Sequence, residues 1–175
     1  MLVKIVKGMV LVALVIALSN CGFSLRGDFH LPANIKTVQL SSTTHKTSLE
    51  RALTKRLKPY KLELLKTNPT ESPTDLTITL LPDELERRLL SLFNTGQVAE
   101  YELVYTVKYQ LQFALEPPQT IEFTVTREYQ DDPDAVLAKS RELDLVLAEM
   151  RQQAADRIIR QISTSYANRS ANPAF

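Results

Sequence analysis

Between Ala99 and Phe113 the chain alternates without interruption. Tyr101, Leu103, Tyr105, Val107, Tyr109, Leu111 and Phe113 fall on one side of an extended backbone; Glu100, Glu102, Val104, Thr106, Lys108, Gln110 and Gln112 fall on the other. Period two over this length predicts a strand with one face on a core and one toward water. Glu116-Pro117-Pro118-Gln119 predicts a turn, and Ile121, Phe123, Val125 and Tyr129 carry the returning strand of a long hairpin. Upstream, residues 35–40 alternate apolar with polar and predict another strand. Thr47-x-x-Glu50 is a capping-box pattern ahead of Leu49, Leu53 and Leu57, which predicts a helix over about 48–58, stopped before Pro59. Leu62, Leu64 and Leu65 fit a strand near 60–66, and 67–74 reads as a loop. Leu76, Ile78 and Leu80 alternate with Thr77 and Thr79, so a further strand starts near 75. Pro82 has no N–H to donate to a ladder, and residues 83–92 fit equally a long edge strand or a short helix.

After the hairpin the period changes. Asp132-Pro133 opens a helix, with Asp as cap and Pro at the first position. Val136, Leu143, Leu147, Met150, Ala154, Ile158 and Ile162 follow at helical spacing, with Arg141, Asp144, Glu149, Gln152, Asp156 and Arg160 opposite. A helix over 133–163 would be roughly 45 Å long. Its apolar stripe matches the apolar face of the hairpin. The small, polar stretch 164–175 is expected to be a flexible tail. The fold class expected is α+β, with two helices packed on one face of a roughly four-stranded, largely antiparallel or mixed sheet. A single domain over 35–163 would follow a tether, residues 21–34, broken by Gly27 and Pro32.

The first residues follow another logic. Lys4 and Lys7 precede an uncharged run from Gly8 to Leu18, too short for the ~20 apolar residues that cross a bilayer but suited to the core of a signal peptide. Leu18-Ser19-Asn20-Cys21 resembles the bacterial lipobox, with Asn20 in place of the usual small residue. The resemblance implies a signal peptide over 1–20, cleavage before Cys21, and a diacylglycerol and an N-acyl chain (palmitate being typical) on that cysteine. Each buried methylene contributes about 0.8 kcal/mol, so two or three chains hold a domain on a membrane durably. Gly22, rather than Asp, after the cysteine implies export to the outer membrane.

Composition narrows the function classes. Without Lys4 and Lys7, 19 basic residues face 20 acidic ones (21 − 2 against 20), which argues against a nucleic-acid binder. One cysteine forms no internal disulfide and no cysteine-based zinc site, and His30 and His45 add little. The chain carries no glycine-rich phosphate loop, zinc signature or nucleophile elbow. Asp131, Asp132 and Asp134 are accounted for by a helix start, and no catalytic residue or metal ligand is assigned.

Taken in order, Cys21-Gly22-Phe23-Ser24-Leu25-Arg26-Gly27, Leu31-Pro32, Gly96-Gln97-Val98-Ala99-Glu100-Tyr101, Asp132-Pro133 with Leu137-Ala138-Lys139, and Glu149-Met150 resemble the LPS-assembly lipoprotein family, LptE. The resemblance implies an outer-membrane lipoprotein that partners the LptD β-barrel as plug and folding partner and helps insert lipopolysaccharide into the outer leaflet. It implies no enzymatic activity, no cofactor beyond the lipid on Cys21, and no nucleic-acid partner. It also places at Lys139 a basic residue implicated in lipopolysaccharide contact. A basic residue is expected after the loop phenylalanine, but here Asn94 follows Phe93. Arg87 and Arg88 are the nearby substitutes as lipopolysaccharide-binding candidates, an ordinary solvated edge being the plainer explanation. Phe93 and Asn94 are partner-contact candidates, although Phe93 could equally fold back into the core. Tyr101, Tyr105 and Tyr109 read as core rather than as a stacking platform. The alternative function is a periplasm-facing lipoprotein subunit of another envelope complex, which would not co-purify with a large barrel.

Overall fold

In the computed structural model of the chain, residues 7, 31–32, 34–44, 47–65, 74–114 and 116–171 are described. The expected leader apart from residue 7, Cys21, most of the 67–74 loop and residues 172–175 of the expected tail lie outside them. The elements run β1 (Thr37–Ser42), α1 (Ser48–Leu57), β2 (Glu63–Leu65), β3 (Leu76–Leu80), β4 (Glu84–Leu92), β5 (Val98–Phe113), β6 (Gln119–Gln130) and α2 (Val136–Ala171), with a 3-10 turn at Lys58–Tyr60. The Thr47 hydroxyl accepts the Glu50 N–H at 3.1 Å, so the capping signal marks the start of α1 as expected.

β5 organises a mixed sheet. On one edge it pairs antiparallel with β6 from Glu100 to Leu111. Its other edge takes β3 opposite 109–113 and β4 opposite 98–106, in tandem. Leu81–Asp83 separates those two strands, and Pro82 offers no N–H there. The segment 83–92 is therefore a strand, with a register irregularity near Leu89–Leu92. β1 lies parallel to both β3 and β2. The six strands exceed the roughly four expected, because the edge of β5 is shared by two strands and β2 adds three residues.

Both helices cover one face. Leu49, Leu53 and Leu57 of α1, and Met150, Ala154, Ala155, Ile158, Ile159 and Ile162 of α2, are buried against Val38, Leu76, Ile78, Leu103, Tyr105, Val107, Tyr109, Leu111 and Phe113. Full burial of each aliphatic side chain contributes roughly 1.5–3 kcal/mol. The opposite sheet face is polar and unroofed, apart from buried Gln39 and Val104.

Two expectations about α2 are corrected. Asp132-Pro133 forms a turn, not the helix start: Asp132 accepts the Asp134 N–H on Oδ1 at 3.0 Å and the Ala135 N–H on its carbonyl at 3.1 Å, and the helix begins at Val136. Residues 164–171 are helix rather than flexible tail. Tyr166 meets Phe113 with ring centroids 6.0 Å apart, and its hydroxyl accepts from Asn34 at 2.9 Å. Arg169 lies 4.2 Å over the Phe113 ring and pairs with Glu116. The polar character of this stretch is absorbed locally, since Thr164 and Ser170 donate to carbonyls four residues back.

Candidate functional site

Register decides which cations meet. Arg87 and Arg127 are the β4 and β6 partners of Leu103, so the three form one row on the helix-bearing face. In the next row Leu89 and Tyr129 flank Tyr101. α2 begins above these rows. The Tyr129 hydroxyl donates to the Lys139 carbonyl at 2.6 Å, and the Lys139 ammonium lies 5.5 Å from the centre of the Tyr129 ring. Burial pushes the Tyr129 hydroxyl above its ordinary pKa, reinforced by Asp131 and Glu142, while Lys139 and Arg87 oppose that rise. Arg87 on β4 and Lys139 on α2 thus lie on the same side of the sheet as Tyr129. A hydrogen bond to Glu142 at 2.9 Å holds the Lys139 amine above its usual pKa, and its side chain is 21% exposed. It is a fixed positive charge at neutral pH.

Arg88 does not join them. One residue along a strand reverses the face, and Arg88 sits on the open side, 2.9 Å from Glu86 and 3.9 Å from Glu102. Its hydrogen bond lowers the Glu86 pKa. Arg127, by contrast, was missed in the sequence. Its signal was parity with Tyr129, two residues on.

Beside the cations the surface is apolar. Leu89 shares their face, while beyond the register irregularity Leu92 pairs with Val98 on the open face; Leu89, Leu90, Leu92 and Phe93 are 44–54% exposed, and Val136 and Leu137 stand open at the start of α2. Phe93 does not fold back into the core. Its N–H donates to the Gln97 carbonyl at 2.8 Å and its carbonyl accepts the Gly96 N–H at 2.9 Å, in a tight turn. Gly96 has φ 83°, where a side chain would be strained. Asn94, beside Phe93, is exposed. Tyr105 and Tyr109 are core residues, and Tyr101 is half-buried against the core.

Among the described residues no group of three or more His, Cys, Asp or Glu is placed to hold a metal, and no helix is long and apolar enough to cross a membrane. The site is thus a cluster of cations bordered by exposed apolar side chains, a surface suited to an amphipathic anion.

Comparison with known proteins bears on the family and the fold. The LptE family model, described as lipopolysaccharide-assembly, matches residues 35–162. The LPS-assembly lipoprotein LptE of Pectobacterium atrosepticum is 33% identical over 150 residues, covering 86% of this chain and 80% of that protein. The crystal structure of rare lipoprotein B from Shewanella oneidensis is 36% identical, with a TM-score of 0.67 over 76% of this chain and 98% of that one. Lipoprotein B from Nitrosomonas europaea, solved by NMR, is 25% identical with a TM-score of 0.65, covering 86% and 97%. With the family match spanning nearly all of the folded residues and its fold reproduced, this chain belongs to the LptE family of lipopolysaccharide-assembly lipoproteins.

Proposed function

We propose that this LptE-family protein is cleaved before Cys21, acylated there and carried to the outer membrane. There it partners the LptD β-barrel in assembling lipopolysaccharide into the outer leaflet, as plug and folding partner and as a lipopolysaccharide-binding component. The observation that carries the binding role is the placement of Arg87 one row from Tyr129 on the helix-bearing face, with Lys139 over the Tyr129 ring and exposed Leu89 in the Tyr129 row. Lipopolysaccharide pairs phosphates with acyl chains. Arg offers a planar fork to phosphate and Lys a point charge. Arg127 completes the cationic row. Phe93 and Asn94, at the hairpin tip, face the barrel wall. Arg88, on the open face and paired with Glu86 of its own strand and Glu102 of β5, takes no part.

Lipopolysaccharide binding should fall by more than about a hundredfold in an Arg87→Glu/Lys139→Glu variant, the loss of charge-assisted hydrogen bonds each contributing about 1.5–3 kcal/mol. Arg88→Glu should bind as the parent does. Equal binding by parent and double variant, both with unchanged thermal midpoints, would dismiss the site. Gentle detergent purification should recover a one-to-one complex with a large barrel protein. Recovery with a different envelope complex would replace the barrel role. Mass spectrometry of the mature N-terminus should find acylated Cys21.

A further inference from the structure

Lys36, before β1, and Lys58 and Lys61, in the 3-10 turn after α1, come from two stretches of chain and are drawn to one end of the fold by backbone bonds. The Glu63 N–H donates to the Lys36 carbonyl at 2.9 Å, and the Lys61 N–H to the Lys58 carbonyl at 3.3 Å. Lys61 closes the 3-10 turn at φ 53°, a left-handed conformation that glycine or asparagine adopts with less strain. All three side chains are exposed, as is Lys55 in the last turn of α1. Among the described residues none of these lysines has an ion-pair partner, whereas Arg56 of α1 is held by Asp156 at 2.9 Å. Glu63 and Asp75 are the acids beside them, Asp75 accepting the Lys36 N–H at 2.8 Å. A helix C-terminus accounts for Lys55 and for Lys58, the C-cap of α1, but not for Lys36 and Lys61. Between Lys36 and Lys61 lies a cavity of about 450 Å³, with Leu31, Pro32, Tyr60 and Leu62 in its wall.

This is also the end at which the folded body begins. Leu31 is ten residues after Cys21, a span of at most about 36 Å. Leu103, in the row of Arg87, and Phe113, opposite the start of β3, are ten positions apart on β5, so the two cationic groups are separated by roughly 33 Å along the sheet. The lysines are spread as point charges rather than converged as a fork. That arrangement suits a charged surface better than a single phosphate.

We propose that the Lys36–Lys58–Lys61 surface docks on the anionic phospholipid headgroups of the leaflet that carries the lipid anchor, turning the Arg87–Lys139 end away from that leaflet. The orientation rests on acylation of Cys21; the attraction of the surface itself does not. Each lysine beside an anionic membrane strengthens binding by about fivefold, and the apolar wall of the cavity suits the interface.

The test reconstitutes the mature protein into vesicles of phosphatidylcholine alone or mixed with phosphatidylglycerol. Lysines are labelled briefly with an amine-reactive reagent and read by mass spectrometry. Lys36, Lys58 and Lys61 should label about fivefold more slowly on the anionic vesicles. They should recover in ~1 M salt, where the screening length is about 3 Å. Lys108, on the open sheet face, and Lys139, at the far end, are internal references. Protein that floats with both vesicle types and labels equally on both would overturn the proposal. Flotation with neutral vesicles reports the anchor separately. If that alone fails, the surface stands only if anionic vesicles still bind the protein at low salt and Lys58→Gln/Lys61→Gln weakens binding by about 25-fold. Absence of such binding overturns it.

Discussion

Two tyrosines on the same face of β5 answer differently to burial. Tyr105 donates its hydroxyl to Asp83, and burial first, then that bond, pushes its pKa up, with Arg151 opposing the rise. Tyr109 is fully buried, and its hydroxyl has no hydrogen-bond partner among the described residues. Its ring packs edge-on to Phe123 at 6.2 Å, so the ring rather than the hydroxyl carries its contribution. A buried polar group without a partner costs stability, and a bond to a carboxylate is worth about 1.5–3 kcal/mol. Tyr109→Phe should therefore be neutral or stabilising in urea unfolding, and Tyr105→Phe should lose roughly 1–3 kcal/mol. Equal losses in the two variants would contradict this assignment. Arg157 works at the same scale. It stacks 4.5 Å over Phe123 and donates to the Thr124 carbonyl at 3.1 Å, covering part of the β6 backbone.

Between elements, Asp75 ties the start of β3 to the start of β1. One carboxylate oxygen accepts the Lys36 and Thr37 N–H groups at 2.8 and 2.9 Å and the Thr37 hydroxyl at 3.0 Å. The Thr37 N–H, then the Lys36 N–H, then the Thr37 hydroxyl hold the carboxyl below its ordinary value of 3.8. The folded state thus prefers the ionised form. Its contribution is complete above the unfolded value, shrinks as pH falls below 3.8, and is gone beneath the lowered folded value. The urea midpoint should fall on acidification from about pH 5 to pH 2, and less steeply in Asp75→Asn. Identical slopes in parent and variant would remove Asp75 from this role. The bond matters to topology, because β1–β3 is a parallel pair and its two strands are joined through α1 and β2 rather than by a tight turn.

Over the whole molecule, burial is uneven from end to end. Near Phe113 the sheet is four strands wide, β2, β1, β3 and β5, and carries both helices; near Tyr101 it narrows to β4, β5 and β6. α2 reflects that gradient, with Leu137 82% exposed and Met150, Ala154 and Ile158 fully buried. Hydrogen-exchange mass spectrometry of the mature protein should find strong protection over 150–162 and weak protection over 136–142, since opening free energy follows buried apolar contact. Uniform protection along α2 would contradict the gradient. The weakly covered end is also the one with Arg87, Lys139 and the exposed leucines, so the proposed ligand-binding surface lies where the fold leaves most apolar area uncovered.

β1, β2, β3, the β5–β6 hairpin and the start of α1 were legible in the sequence because they rest on local rules. Period two needs only neighbouring residues, and a Thr47 cap needs only the next turn. The family resemblance was legible for a similar reason, in short motifs kept in order. The end of α2 was not, because Tyr166 and Arg169 are ordered by Phe113 and Glu116, about fifty residues away in sequence. Nor was the division of Arg87 from Arg88, which waited on 84–92 being a strand, or the meeting of Arg87, Arg127 and Lys139. Side chains from three elements share a site only once register and helix packing are fixed, and those are decided by long-range burial rather than by any local pattern.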